Sequence, residues 1–173
     1  MITPIEILRS RVTPLLRADV DTDQMIAKQY LRRLTRTGYG DALFAEWRKD
    51  PSFVLNDRRY DGSEILLAGP NFGCGSAREH AVWGLIDYGF RAVVAPSFAG
   101  SFYLNAISSG LLPAQITFTE YLELAEVAAS RGLSTMTIDL PGQWLSVDQF
   151  RFSFEITPHA KEVLGSGLDD IDR

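Results

Sequence analysis

Short apolar runs alternate with helical segments in the middle of the chain, and this alternation constrains the fold more than any other feature. The runs EILLAG (64–69), RAVVAP (91–96) and LLPAQITF (111–118) are bounded by turn residues, which is typical of buried strands. The segments between them, 78–90 and 97–110, have helical patterns that stop at glycines. Strands joined through helices pair in parallel, so the pattern predicts an α/β core.

The two ends of the chain are mostly strand. Residues 5–16 read as one strand, and residues 134–156 as a hairpin or meander that turns at Pro141 and Gly142. Further helices are predicted at 41–50, capped by Asp41, at 97–110, capped by Ser97, at 119–132, with a threonine cap, and at 157–167. We therefore expect one α/β domain over residues 1–173, with a mixed sheet, two β layers and helices on one side.

Composition excludes several classes of function. The hydrophobic share of 46% in 173 residues is enough for a globular core, and a net charge of −5 disfavours nucleic-acid binding. One cysteine and two histidines exclude an internal disulfide and cannot supply a zinc or iron–sulfur site. No apolar run is long enough for a signal peptide or a membrane span, so we expect a cytoplasmic protein without membrane contact.

The stretch NFGCGSAREH (71–80) is the best candidate for a functional site. It follows a predicted strand and precedes a predicted helix, where free backbone N–H groups and the helix dipole favour bound anions. Gly73 and Gly75 allow positive φ and a close approach by a ligand. Ser76 stands at the N-cap position. Arg78 in the first turn is unfavourable against the dipole, and a bound carboxylate would compensate for it.

Each of these residues also has a purely structural interpretation. Ser76 could be a cap alone, and Arg78 could form a surface ion pair with Glu64 or Glu79. Cys74 is typical of a small buried hydrophobic residue, and His80 of a helix-packing residue. The spacing of Ser76 and His80 does not form a catalytic triad, and no Walker lysine is present. The residues alone therefore indicate an anion site at a helix N-terminus, with catalysis left open.

Longer segments resemble a known family. Residues 71–113 resemble the signature region of the small subunits of 3-isopropylmalate dehydratase, in the aconitase superfamily. Residues 20–48, which begin VDTDQMIAKQYLRRLTRTG, are similar to the N-terminal signature of that family, and PSFVLN (51–56) to the segment after it. GLDDI (167–171) resembles the start of its C-terminal segment. The resemblance covers nearly the whole chain in the expected order.

The resemblance implies a swivelling β/β/α three-layer domain, the counterpart of the mobile last domain of aconitase. It also implies a heteromeric hydro-lyase whose separate large subunit carries a [4Fe-4S] cluster. The implied substrate is a small dicarboxylate: 2-isopropylmalate loses water to give 2-isopropylmaleate, which regains it as 3-isopropylmalate, in leucine biosynthesis. A chain with one cysteine need not hold the cluster itself.

The resemblance also implies roles for individual residues. Ser76 aligns with the catalytic serine, which acts as an alkoxide base, and Asp23 aligns with the active-site aspartate of the DTDQ segment. Arg78 aligns with the arginine that binds a substrate carboxylate. The YLRRLTRTG segment aligns with the family's specificity loop. The substrate-binding positions implied in this way are Arg78, Gly75, Ala77, Arg36 and Thr37.

Two departures from the family pattern leave alternatives open. Ala77 stands where a second serine is usual, and Ala27 where a proline is common. The chain could therefore serve a related hydro-lyase, of the homoaconitase or dimethylmalate dehydratase type. It could also be an interaction module that retains the fold without catalysis. The presence of both Ser76 and Arg78 favours an enzyme.

Overall fold

The parallel sheet predicted for the middle of the chain is present. The structure is a computed structural model and describes residues 2–33, 35 and 37–167. Helices α2 (Glu79–Tyr88) and α3 (Gly100–Ser109) connect successive parallel strands, as the alternating pattern predicted. In spatial order the sheet contains β2 (Val12–Leu15), β3 (Ile65–Ala68), β4 (Ala92–Ala95) and β5 (Leu112–Gln115).

A second, antiparallel sheet joins the two ends of the chain. The predicted strand over 5–16 divides at Arg11, so that its first half pairs in this sheet and its second half in the parallel sheet. The predicted meander is confirmed. Parallel and antiparallel pairing are thus both present but lie in separate sheets. The antiparallel sheet contains, in spatial order, β1 (Ile7–Ser10), β6 (Met136–Asp139), β7 (Trp144–Val147) and β8 (Phe150–Ser153).

The two faces of the parallel sheet contribute to different cores. Side chains alternate across a strand, so Ile65 and Leu67 of β3 face one core while Leu66 and Ala68 face the other. The Leu66 face packs against apolar residues of α2 and α3. The Ile65 face packs against the antiparallel sheet. The parallel sheet is therefore the middle layer of the domain.

Helices α4 (Phe118–Ser130) and α5 (Pro158–Ser166) belong to the core on the antiparallel side. Leu124 of α4 and Val163 of α5 are fully buried there. The expectation that all helices lie on one side is therefore wrong for α4 and α5. The four longer helices of the described chain leave no candidate for a membrane span, since none is sufficiently long and apolar.

The predicted helix over 41–50 is wrong. Phe44 has a left-handed φ of 52°, which interrupts a right-handed helix, and the segment forms turns that end in a 3-10 turn. Asp41 pairs with Arg33 instead of capping a helix. The segment between β2 and β3 contains α1 (Thr22–Met25) and 3-10 turns at Lys28–Arg32, Trp47–Lys49, Val54–Asn56 and Arg58–Tyr60.

Two predicted caps are displaced. The helix predicted from Ser97 begins at Gly100 after the N-cap Ala99, because the Ser97 Oγ accepts a hydrogen bond from the Asn71 backbone N–H at 2.7 Å. The cap of α4 is Thr117, whose Oγ1 accepts from the Glu120 N–H. Gly89 and Gly110 end their helices as predicted.

Candidate active site

Two loops meet at the carboxyl ends of the adjacent parallel strands β2 and β3. The first loop follows β2 and contains the DTDQ segment (21–24), and the second loop follows β3 and contains the NFGCGSAREH segment (71–80). Such edges of open α/β sheets are where ligands commonly bind. The backbone of the first loop pairs with that of the second at three places, one of them the Asp19 N–H, which donates to the Pro70 carbonyl at 2.9 Å. The Gly73 N–H donates to the Val20 carbonyl at 2.8 Å, and the Thr22 N–H donates to the Cys74 carbonyl at 3.0 Å. The DTDQ segment and the NFGCGSAREH segment, which are distant in sequence, therefore form one site.

A side-chain hydrogen bond between Asn71 and Asp19 joins the two loops close to the ends of β2 and β3. Both have left-handed φ values, of 59° and 56°, which short polar side chains tolerate better than most. The Asn71 Nδ2 donates to the Asp19 Oδ1 at 2.9 Å. This pair was not predicted from the sequence, although Asn and Asp beside turn residues are its usual signal.

Gly73 allows the second loop to lie against α3. Its φ is +82°, and a Cβ added there would lie 2.2 Å from the Cγ of the buried Phe102. Gly75 also has a positive φ, of +86°. The positive φ expected at both glycines is confirmed.

Ser76 is exposed and is not a helix cap. The N-cap of α2 is Arg78, and no side chain caps this helix. The Ser76 carbonyl accepts a hydrogen bond from the Thr22 Oγ1 at 2.6 Å. The Ser76 hydroxyl, by contrast, has no hydrogen bond to any residue that the structure describes. The capping interpretation is therefore wrong, and the hydroxyl is available to a ligand.

Arg78 is held by the first loop. Its Nη1 lies 2.7 Å from the Asp23 Oδ1 and donates to the Ile26 carbonyl at 3.2 Å. The Arg78 side chain is 16% exposed and that of Asp23 62% exposed. The alternative ion pairs with Glu64 or Glu79 are wrong, because Asp23 is the partner.

The free edge of the Arg78 guanidinium suits a carboxylate. Both described contacts use Nη1, so Nε and Nη2 keep their N–H groups unpaired within the described residues. These two groups form the planar fork that binds a carboxylate with two hydrogen bonds. Asp21 stabilises the position of Asp23, because it caps α1 in a reciprocal capping box with Gln24.

Backbone amides add to the capacity for anions. Within the described chain, the N–H groups of residues 75–78 donate to no acceptor. Gly75, Ser76 and Ala77 are exposed. These amides precede α2, whose dipole has its positive end there. Together with Arg78, they present donors to a carboxylate or to a developing oxyanion.

His80 has the packing role that was expected, whereas Cys74 is only partly buried and lies in none of the described apolar cores. Desolvation of the Cys74 thiol, followed by the negative charges of Asp21 and Asp19, raises its pKa. The His80 ring packs edge-on against Tyr39, with the centroids 5.4 Å apart, and lies 4.8 Å from the ring of Trp83.

The predicted specificity loop stays a prediction. Arg36 lies outside the described residues, as do residues 168–171 of the GLDDI motif. Thr37 is exposed, and its carbonyl accepts from the Thr35 Oγ1 at 3.0 Å. The hydrogen bonds described for Thr37 do not link it to Ser76 or Arg78. The structure thus unites Asp23, Gly75, Ser76, Ala77 and Arg78 in one site.

Known proteins with similar sequences and structures indicate the family of this chain. A family model described as the aconitase C-terminal domain matches residues 3–119. The 3-isopropylmalate dehydratase small subunit of Acidobacterium capsulatum is 48% identical over 97% of this chain and 82% of its own length. That of Bacillus subtilis is 43% identical, with 97% and 87% covered. A 3-isopropylmalate dehydratase structure from Methanocaldococcus jannaschii has a TM-score of 0.73 at 29% identity, with 96% and 92% covered.

The predicted fold class, an α/β domain like the C-terminal domain of aconitase, is confirmed by the family model and by the solved structure. The relatives extend the match over nearly the whole chain. The chain therefore belongs to the aconitase C-terminal domain family, among the small subunits of 3-isopropylmalate dehydratase.

Proposed function

We propose that this chain is the small subunit of a heteromeric hydro-lyase that interconverts 2-isopropylmalate and 3-isopropylmalate through 2-isopropylmaleate, in cytoplasmic leucine biosynthesis. The observation that carries the proposal is the Arg78 guanidinium, which Asp23 holds beside the exposed Ser76. These residues lie in a chain that is 48% identical to a 3-isopropylmalate dehydratase small subunit over 97% of its length.

Arg78 binds one carboxylate of the substrate in this proposal. The Nε and Nη2 edge of the guanidinium provides two parallel hydrogen bonds, while Nη1 stays on Asp23 and the Ile26 carbonyl. Asp23 therefore acts in the site by fixing the plane of the fork. The amides of Gly75 and Ala77 lie on the exposed side of the same loop and add donors.

Ser76 moves the proton in this proposal. Dehydration removes a proton from a carbon next to a carboxylate, and such a weakly acidic C–H needs a strong, well-placed base. The Ser76 alkoxide accepts that proton, and on rehydration the Ser76 hydroxyl returns a proton to carbon. Backbone amides and the N-terminal end of α2 lower the free energy of the alkoxide, as donors in an oxyanion hole do.

A [4Fe-4S] cluster, when bound, would supply a Lewis acid for the departure of the substrate's hydroxyl group. We place this cluster on a large subunit. The chain has one cysteine, and Cys74 has a raised thiol pKa, which opposes the thiolate form that iron needs. Among the described residues, no group of three or more His, Cys, Asp or Glu could hold a metal ion.

Reconstitution with a cluster-bearing large subunit tests the proposal. We expect the isolated chain to be inactive and the anaerobically reconstituted pair to convert 2-isopropylmalate, followed by the absorbance of the unsaturated intermediate. Homocitrate and dimethylmalate serve as competing substrates for the related hydro-lyase types. Preference for either one, or an inactive pair with an intact cluster, would contradict the proposal, and so would a stoichiometric cluster in the isolated chain.

A further inference from the structure

Thr22 connects the first loop to the second loop through two hydrogen bonds. Its side chain is buried, with 1% of the residue exposed. The Oγ1 donates to the Ser76 carbonyl at 2.6 Å, and the backbone N–H donates to the Cys74 carbonyl at 3.0 Å. Thr22 therefore fixes both the Cys74 carbonyl, just before the exposed residues 75–77, and the peptide that follows Ser76.

The bond from the Thr22 hydroxyl orients the Ser76–Ala77 peptide. The described chain contains no cis peptide bond, so the C=O and N–H of this peptide point in opposite directions. Since the carbonyl points inward to the buried Thr22, the Ala77 N–H points away from it. Ala77 is exposed, and its N–H has no acceptor among the described residues.

The side chain at position 77 makes this orientation more important. An alanine has no hydroxyl, so the backbone N–H is the donor that this position offers to a ligand. The Ser76 Cα is the first atom of the same peptide plane, so a turn of this plane changes the position of the Ala77 N–H relative to the Ser76 Oγ. The Thr22 hydroxyl thus controls the amide and the serine together.

We propose that Thr22 is a positioning residue for the reaction, which acts through its hydroxyl on the Ser76–Ala77 peptide. This inference rests on the proposed function. Arg78 is held by Asp23 and the Ile26 carbonyl and has no described contact with the Thr22 hydroxyl, so loss of that hydroxyl leaves carboxylate binding largely in place. The loss misplaces the base and the amide that stabilises its alkoxide.

Thr22→Val and Thr22→Ser separate the hydroxyl from the shape of the side chain. Valine keeps the branched, buried shape but cannot donate. We expect kcat of the reconstituted Thr22→Val pair to fall on the order of 10²-fold, the cost of a small misplacement of catalytic groups, while KM changes by no more than a few-fold. Thr22→Ser keeps the donor, and its kcat should stay within a few-fold of wild type.

Ser63→Ala is the matched control. Ser63 is 5% exposed, and its Oγ donates to the Arg11 carbonyl at 2.8 Å. It lies before the amino end of β3, and the site lies beyond the carboxyl end of this strand. This variant loses the same kind of buried hydroxyl-to-carbonyl bond. We expect Ser63→Ala to lower the melting temperature about as much as Thr22→Val does and to leave kcat unchanged.

Hydrogen exchange on the isolated chain tests the same bond without any activity. We expect the Gly73 amide, which donates to the Val20 carbonyl, to exchange faster in Thr22→Val and at the wild-type rate in Thr22→Ser. An inactive wild-type pair would contradict the proposed function. The exchange rates alone would then test whether the Thr22 hydroxyl holds the two loops together. An active pair in which Thr22→Val keeps kcat, or in which Thr22→Ser loses as much as Thr22→Val, would overturn the positioning role.

Discussion

The Asp23 Oδ1 and the Arg78 Nη1 lie 2.7 Å apart, and their ion pair joins the loops that follow β2 and β3. The more exposed carboxylate holds the less exposed guanidinium. The pair leaves the Nε and Nη2 edge of Arg78 open within the described residues, so it positions the guanidinium without using the two N–H groups of that edge.

Asp23→Asn should weaken substrate binding more than it weakens the fold. The amide keeps the shape but loses the charge that orients Arg78, so we expect KM to rise about 10-fold or more. Unfolding free energy should decrease by no more than about 1 kcal/mol, because Asp23 is exposed. Steady-state kinetics and thermal unfolding measure the two effects. Asp57→Asn, which breaks the 2.7 Å pair with Arg59 elsewhere, is the control and should leave KM unchanged. An unchanged KM in Asp23→Asn would contradict the role of the pair.

Ser76→Ala should remove most of kcat and leave stability near wild type. The hydroxyl caps no helix and bonds to no described residue, so its loss has no direct structural cost. Loss of a catalytic base should lower kcat on the order of 10²-fold or more. Ser101→Ala, at another exposed serine, is the control for kinetics and circular dichroism. Near-wild-type turnover in Ser76→Ala would mean that the base lies elsewhere.

Arg78→Lys should raise KM and lower kcat together. Lysine keeps the charge but loses the planar fork, and the carboxylate is bound in both the ground state and the transition state. We expect kcat/KM to fall at least about 10-fold, as when a charge-assisted hydrogen bond is lost. Arg91→Lys is the control, since Arg91 donates to the Thr3 and Pro4 carbonyls away from the site. A change in KM alone would indicate that Arg78 acts only in ground-state binding.

The alternating sequence pattern was sufficient to predict the parallel sheet. Burial on both faces makes β3 and β4 continuous apolar runs, and glycines end α2 and α3, so each element carries its own local signal. The segment 41–50 failed because its apolar residues are buried by tertiary contacts around a left-handed Phe44, which a helical pattern cannot reveal.

The site was only partly predictable for a similar reason. Resemblance to a family proposed Ser76, Arg78 and Asp23 as site residues, but it did not predict that Asp23 pairs with Arg78. Thr22 was missed because its role depends on a contact with Ser76 between loops, and a threonine between two aspartates has no distinctive local pattern. Contacts of this kind follow from the order of strands in the sheet, which places both loops at the carboxyl ends of the neighbouring strands β2 and β3.

Cys74 should react slowly with alkylating reagents in the folded chain. Burial raises the pKa of its thiol above the ordinary value, with Asp21 and Asp19 adding to the rise, so less thiolate is present near neutral pH. We expect iodoacetamide to modify the folded chain more slowly than the urea-unfolded chain at pH 8, and the difference to narrow as the pH rises. Mass spectrometry of the single thiol measures both rates. Equal rates in the two states would contradict the raised pKa.

Gly73→Ala should destabilise the domain through the contact between the second loop and α3. The new Cβ would lie 2.2 Å from the Phe102 Cγ and 2.4 Å from its Cβ, and Phe102 is 2% exposed, so it has little room to move. Left-handed strain and overpacking together should cost about 2–5 kcal/mol of unfolding free energy. Gly62→Ala is the matched control: its φ of +77° imposes similar strain, but nothing lies within 4 Å of the added Cβ. We therefore expect Gly62→Ala to lose only about 1–2 kcal/mol in urea unfolding. Equal losses in the two variants would mean that the loop moves away from Phe102 at little cost and that Gly73 is needed only for its backbone conformation.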